Sequence, residues 1–167
     1  MNCLTISAQR QRASRGFTLI ELVVTLALLG VLAMLAAPLA EVAAQRSKEQ
    51  SLREALREIR DAIDRYHRAA EQGLVARHPG DSGYPPNLSV LVTGVPSTQD
   101  AKGARIYFLR RLPRDPFFRD GAVPAEATWG LRSYASAPDD PQAGDDVFDI
   151  HSLAQGEGLN GVALREW

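Results

Sequence analysis

The chain begins with a basic segment, followed by a long apolar run that contains a single carboxylate. Between residues 17 and 40 the only charged side chain is Glu21. A hydrocarbon core about 30 Å thick is crossed by roughly 20 apolar residues of helix, so this run can span a membrane. A carboxylate inside such a run costs on the order of 3 kcal/mol near the bilayer centre. Glu21 is therefore a candidate functional residue.

Residues 1–16 have the composition of a targeting segment. They contain Arg10, Arg12 and Arg15 and no acidic residue. Cations before an apolar span favour a cytoplasmic N-terminus, which predicts that everything after Ala40 is exported. The apolar run is longer than the roughly 7–15 residues of a secretory signal, and no Ala-x-Ala pair stands at its end. The pattern therefore predicts a retained membrane helix over residues 17–40.

The helical period continues beyond the apolar run. Glu49–Arg53 is one of several opposite-charge pairs spaced four residues apart. No strong helix breaker occurs before Gly73, and Pro38 predicts only a kink. We therefore expect one long helix that is amphipathic over residues 41–74. Its apolar stripe has the spacing of a buried helix face and comprises Leu52, Leu56, Ile59, Ile63, Tyr66 and Ala70.

Residues 75–167 are predicted to form a region of loops and a small sheet. Residues 88–92 are a short apolar run that fits either one turn of helix or a strand. Residues 128–136 and 146–153 are rich in aromatic and β-branched residues, which predicts two strands. Because so few strands cannot bury both faces, their partner must be the apolar stripe of the helix. The predicted fold class is α+β, a long N-terminal helix with a small antiparallel sheet packed on its outer half.

Charge and composition exclude several functions. The chain has 19 basic and 20 acidic residues, and the part after the leader is net acidic, which argues against a nucleic-acid partner. The only cysteine, Cys3, lies in the leader. His67, His78 and His151 lack metal-site spacing and are interpreted as solvated surface residues. No P-loop or GxSxG motif is present, so we do not expect an enzyme.

An acidic stretch near the end of the sequence raises the possibility of calcium. Carboxylate and amide oxygens on flexible loops are the ligands that calcium takes, although the EF-hand spacing is absent. A solvated acidic loop is the alternative, and no other cofactor is expected. The acidic group comprises Asp139, Asp140, Asp145, Asp146 and Asp149, followed by Glu157 and Asn160. The candidate ligands are Asp145, Asp146, Asp149 and Asn160.

Glu21 has two interpretations. It can reach water at the membrane interface, or it can pair with a new α-amino group if the chain is cut after Gly16. A buried carboxylate and a buried ammonium are each costly alone and attract each other in a low dielectric. Pairing within one chain is possible. Pairing between chains would also set a stagger between helices, which benefits a polymer and not a monomeric anchor.

Residues 15–22 (RGFTLIEL) resemble the class III signal of type IV pilin-like proteins, and Pro38 stands where that family commonly has a proline. The resemblance implies cleavage between Gly16 and Phe17 by a prepilin peptidase. It also implies N-methylation of Phe17 and pairing of Glu21 with the N-terminus of a neighbouring subunit during assembly.

Further along, residues 62–66, 83–85, 107–117 and 149–153 resemble the G-type major pseudopilins of type II secretion. In that family the last strand is followed by a calcium loop. The chain departs from the pattern in two places. The connection over residues 74–83 is longer than expected, and no aspartate follows Ser152-Leu153 where a metal ligand is expected.

The resemblance implies a single-pass inner-membrane subunit that polymerises into a short periplasmic pseudopilus driving protein export. Its implied partners are copies of itself, minor pseudopilins, the prepilin peptidase, an inner-membrane assembly platform and a secretion ATPase. Two alternatives stay open, a minor pilin of a type IV pilus and a non-polymerising, membrane-anchored periplasmic binding module.

Overall fold

A computed structural model describes residues 16–100 and 103–167, so most of the predicted leader lies outside the described residues. The chain divides into two compact units, residues 1–42 and residues 43–167, and each is described by itself. The elements are α1 (Leu19–Glu71), α2 (Ser89–Thr93), β1 (Val95–Pro96), β2 (Arg105–Ile106), β3 (Trp129–Arg132) and β4 (Asp149–Ser152). Two short 3₁₀ turns cover Ala125–Thr128 and Leu164–Glu166.

The prediction of one long helix is confirmed, because α1 continues for 53 residues with Pro38 inside it. Its end is set by Gly73, which has a φ of +69°. The Leu74 N–H donates to the Ala69 carbonyl at 2.8 Å, and the Gly73 N–H donates to the Ala70 carbonyl at 3.1 Å. This pair of bonds is a Schellman motif, in which a residue without Cβ adopts the left-handed conformation after the last turn.

In the first unit the apolar part of α1 is uncovered. Every described side chain from residue 17 to residue 42 is exposed, including Leu19 and Met34 at 80%. Within the described residues, α1 is the helix that is long and apolar enough to cross a membrane. An apolar surface of this size requires lipid or another protein chain to cover it.

The second unit has its own core, built on the amphipathic part of α1. The predicted stripe is buried, and Leu52 and Ile59 are completely so. Against it pack side chains from α2 and from the last two strands, among them Leu91, Trp129 and Ile150. The stripe therefore supplies the apolar face that the short strands need.

The strands form two separate two-stranded antiparallel sheets, β1–β2 and β3–β4. In the second sheet Trp129 is opposite Ser152 and Arg132 is opposite Asp149. The predicted strands over 128–136 and 146–153 were therefore too long. The chain turns after Arg132 instead, because the Tyr134 N–H donates to the Asp146 side chain at 2.8 Å.

The open assignment of residues 88–92 is settled as helix, since α2 covers Ser89–Thr93. The Asn87 side chain accepts a hydrogen bond from the Val90 N–H at 3.0 Å, which favours this turn of helix. The Leu91 carbonyl then accepts the N–H groups of Phe108 and Leu109 at 3.0 and 2.9 Å. These bonds direct the irregular segment after β2 into the core.

A buried carboxylate holds the Pro113–Pro116 loop, which has no regular secondary structure. Asp115 is 2% exposed. Its Oδ2 accepts the Ser152 hydroxyl at 2.5 Å, and its Oδ1 accepts the Phe117 N–H at 2.8 Å. Its own N–H donates to the Thr128 hydroxyl at 3.2 Å. The network joins the loop to β4 and to the turn that precedes β3.

Candidate processing and assembly site

The N-terminal end of α1 is capped by a threonine. Thr18 lies just before the helix, and its Oγ1 accepts the Glu21 N–H at 3.3 Å. Its carbonyl accepts the Leu22 N–H at 3.2 Å. Serine or threonine followed three residues later by glutamate is the capping-box spacing. Gly16 and Phe17 are consequently outside the helix, and Glu21 is in its first turn.

Thr18 is a residue that the sequence analysis missed. Its signal was present as the Thr-x-x-Glu spacing directly before an apolar run. In a membrane, the first N–H groups of a helix have no water to bond. A side-chain acceptor at the start of the helix therefore stabilises it more than it would in a soluble protein.

Glu21 is exposed, and no ion-pair partner for it occurs among residues 16–100 and 103–167. Phe17, four residues earlier, is 73% exposed. The carboxylate and the predicted new N-terminus thus lie on the same uncovered end of the chain. Both the processing role of Gly16 and Phe17 and the assembly role of Glu21 stay predictions.

Pro38 lies inside α1, whose assignment as helix continues on both sides of it. A proline at this position removes one backbone donor and crowds the preceding turn. The helix therefore tolerates the residue, and the kink expected there stays a prediction.

The four candidate calcium ligands already take part in other contacts or lie free on the surface. Asp149 Oδ1 accepts the Arg60 side chain and the Ile150 N–H, at 2.7 and 2.8 Å. The Asp146 carboxylate accepts a backbone N–H from the turn after β3. The Asn160 side chain accepts the Val162 N–H at 3.2 Å, and Asp145 is exposed. Within the described part of the chain, no group of three or more His, Cys, Asp or Glu side chains is arranged to hold a metal.

The interpretation of the histidines as solvated was right for His78 and wrong for the other two. His67 stacks on Tyr84, with ring centroids 4.2 Å apart. His151 is half-buried against Gly130, where a Cβ would lie 2.1 Å from the imidazole. Burial lowers the pKa of His151, and the nearby Asp149 only partly opposes this effect. Neither contact is visible in sequence, because the partners are far apart in the chain.

Sequence comparison identifies the class of protein. The profile described as the prokaryotic N-terminal methylation motif matches residues 11–37. That stretch includes the predicted cleavage site, Phe17, the Thr18 cap and Glu21. An apolar helix that carries this motif, followed in the chain by a small α+β unit, defines a pilin-like protein.

A curated relative identifies the family. The type II secretion system core protein G of Klebsiella pneumoniae is 30% identical over 147 residues, which are 83% of this chain and 94% of the relative. The chain belongs to the family of type II secretion core protein G, and it is a pseudopilin. A helix of this length and apolarity suits a membrane-anchored member of that family. No solved structure gave a match.

Proposed function

We propose that the chain is synthesised as a precursor and cut between Gly16 and Phe17 by a membrane prepilin peptidase. The new amino group of Phe17 is then methylated, which leaves it a cation. The methylation motif includes both residues, and both precede α1, so the scissile bond is in backbone that a protease can bind extended. A Cβ atom placed on Gly16 would have no neighbouring atom within 4 Å, so this residue is accessible.

The mature chain is anchored in the inner membrane by residues 17–40, with its N-terminus cytoplasmic and residues 43–167 in the periplasm. Arg10, Arg12 and Arg15 support this orientation, because cations before a span are retained on the cytoplasmic side.

The anchored subunits then polymerise through their apolar helices. The observation that carries this proposal is the exposure of every described apolar side chain between residues 17 and 42, with Glu21 as the only acidic residue in the sequence of this segment before Glu41. In a low-dielectric helix bundle, the Glu21 carboxylate and the cationic amino group of Phe17 each need a partner. Pairing Glu21 of one copy with Phe17 of the next satisfies both charges and sets the stagger between helices.

The resulting filament is a short periplasmic pseudopilus that drives protein export. Its assembly involves minor pseudopilins, an inner-membrane assembly platform and a secretion ATPase. The similarity to a core protein of type II secretion supports this assignment over a type IV pilus. The subunit acts as a structural element of the machine and catalyses no reaction itself.

Coexpression with a prepilin peptidase tests the processing step. Mass spectrometry should show loss of residues 1–16 and gain of one methyl group on Phe17. Gly16→Leu should block cleavage, because the added side chain obstructs the extended backbone in the protease cleft. Gly30→Leu is the matched control, since Gly30 is equally uncrowded but lies within α1. An uncut product that retains Met1 would contradict the proposal.

Glu21→Gln tests the assembly step, with Glu41→Gln as the same change at the other end of the apolar run. We expect Glu21→Gln to be inserted and cleaved normally but to form no filaments, whereas Glu41→Gln should polymerise. Filament yield is measured by electron microscopy of filaments released from the periplasm after the outer membrane is opened. A normal yield from Glu21→Gln would favour a membrane-anchored binding module. Deleting the gene should abolish protein export, and an effect confined to surface pili would favour a minor pilin.

A further inference from the structure

One arginine joins α1 to the last strand and to the end of the chain. The Arg60 Nε donates to Asp149 Oδ1 at 2.7 Å. One of its terminal nitrogens donates to the carbonyl oxygen of Ile150 at 3.0 Å and to a main-chain oxygen of Trp167 at 2.8 Å. A planar guanidinium has five N–H donors in a fixed geometry, so it can serve several acceptors at once.

Residues 153–167, here called the strap, contact the same face of α1 at further points. Glu49 is 3% exposed and accepts the Leu159 N–H at 2.8 Å. The Arg53 guanidinium lies 4.2 Å from the centroid of a Trp167 ring, which is cation–π distance. Leu164 is 3% exposed and belongs to the core. The strap is therefore fixed by apolar contacts of Leu164, Ala154 and Trp167 with the core and by three polar side chains of the helix.

The family resemblance implies a calcium loop in this part of the chain, but the residues present do not fit one. Calcium takes six to eight oxygen ligands in roughly spherical arrangement. The side-chain oxygen of Asn160 is used within the strap, and the Gly156 and Val162 carbonyls accept strap N–H groups at 2.9 Å. Asp149, the candidate ligand in β4, already accepts a hydrogen bond from Arg60, and Glu157 in the strap is exposed.

We infer that the Arg60 guanidinium is the cation that closes this unit, and that the strap is held without a divalent metal. A metal ion would gather oxygen atoms from the last strand and the following loop. Arg60 binds a carboxylate oxygen and a carbonyl oxygen of β4 and a main-chain oxygen of the strap. Its positive charge is part of a side chain of α1, so no separate ion is needed. The fold of residues 43–167, and assembly that depends on it, should then be independent of calcium.

Thermal unfolding of the full chain in detergent tests this inference. The Tm should be the same with EDTA and with millimolar calcium. Arg60→Gln should lower the Tm by about 5–10 °C in both buffers, because three bonds to a charged donor are lost. Arg60→Lys should recover only part of the loss, since an ammonium lacks the planar fork. Arg57→Gln is the control, because Arg57 is exposed and donates only to its own helix.

Limited proteolysis gives a second readout if the Tm shift proves too small to resolve. Arg60→Gln should be cut within residues 153–167 faster than the wild type, while the remaining core stays protected. A calcium-dependent rise in the wild-type Tm would overturn the inference, since a ligand that binds the folded state stabilises it by mass action. An Arg60→Gln variant as stable and as protected as Arg57→Gln would overturn it too.

Assembly provides a third measurement, and this one also rests on the proposed function. Filament yield should be unchanged when a calcium chelator is added. Failure to form filaments under any condition would count against the proposed function alone, because the Tm and proteolysis measurements use the unassembled chain. Filaments that form only with calcium would contradict the inference that Arg60 holds the strap without a metal, and they would leave the proposed function intact.

Discussion

Replacement of Asp115 is the sharpest test of how the second unit is held together. Its carboxylate accepts two hydrogen bonds, from the Ser152 hydroxyl and from the Phe117 N–H. Ser152 is completely buried, so water cannot replace the lost acceptor. A buried donor left without a partner costs about 1–3 kcal/mol. Asp115→Ala leaves the buried Ser152 hydroxyl without its acceptor and also removes the acceptor of the part-buried Phe117 N–H. It should therefore lower the free energy of unfolding by about 1–6 kcal/mol.

The variant also avoids the free-energy cost of burying a carboxylate, which offsets part of this loss. We therefore expect the free energy of unfolding to fall by about 3 kcal/mol. At about 2–4 °C per kcal/mol for a chain of this size, the Tm should fall by about 6–12 °C. Thermal unfolding of the full chain in detergent, followed by circular dichroism, measures the shift. Asp140→Ala is the control, because Asp140 is exposed and its only recorded bond is to the nearby Gln142 side chain.

A double-mutant cycle with Ser152→Ala isolates the hydroxyl–carboxylate bond. The double variant should be more stable than the sum of the single losses predicts, by about 1.5–3 kcal/mol for a hydrogen bond to a charged group. Additive losses would refute the assigned bond. A loss below about 0.5 kcal/mol for Asp115→Ala would refute the network, because surface substitutions produce changes of that size.

Three further variants test the core, a turn and a histidine. Ile59→Ala should cost about 2–5 kcal/mol in chemical denaturation, because Ile59 is completely buried in α1. Gly94→Ala should lower the Tm while Gly121→Ala should not, since Gly94 has a φ of +71° and a Cβ there would lie 2.8 Å from a carbonyl oxygen of β2, whereas Gly121 has open space. Burial lowers the pKa of His151 below its usual 6.5, so the unfolded chain takes up this proton first. The neutral imidazole contributes its full stability above about pH 6.5, and this contribution is lost as the pH falls towards the lower pKa of the folded state. His151→Gln should therefore flatten this part of the Tm–pH profile.

The features that the sequence predicted are those set by neighbours along the chain. The α1 helix followed from its unbroken period and from Gly73, whose missing Cβ permits the left-handed turn at the helix end. The buried stripe followed from spacings of three and four residues. The Thr18 cap was readable in the same way, since its partner is three residues away.

The strand ends could not be predicted in this way. The turn after β3 depends on a bond between the Tyr134 N–H and the Asp146 side chain, twelve residues apart. The short apolar run over residues 88–92 fitted both helix and strand, and tertiary contacts of the α2 segment with Phe108 and Leu109 accompany the helical outcome.

The sequence by itself determined the long apolar segment, the N-terminal methylation motif and the position of Glu21, because each rests on local composition and spacing. Only the tertiary structure decided how the second unit is closed. Arg60 meets Asp149 across 89 residues, and Asp115 meets Ser152 across 37. Such contacts produce no periodic pattern in the sequence. An arginine on the polar side of a helix, or an aspartate between prolines, is equally typical of a solvated surface. The fold brings these groups together, and burial then makes their hydrogen bonds necessary.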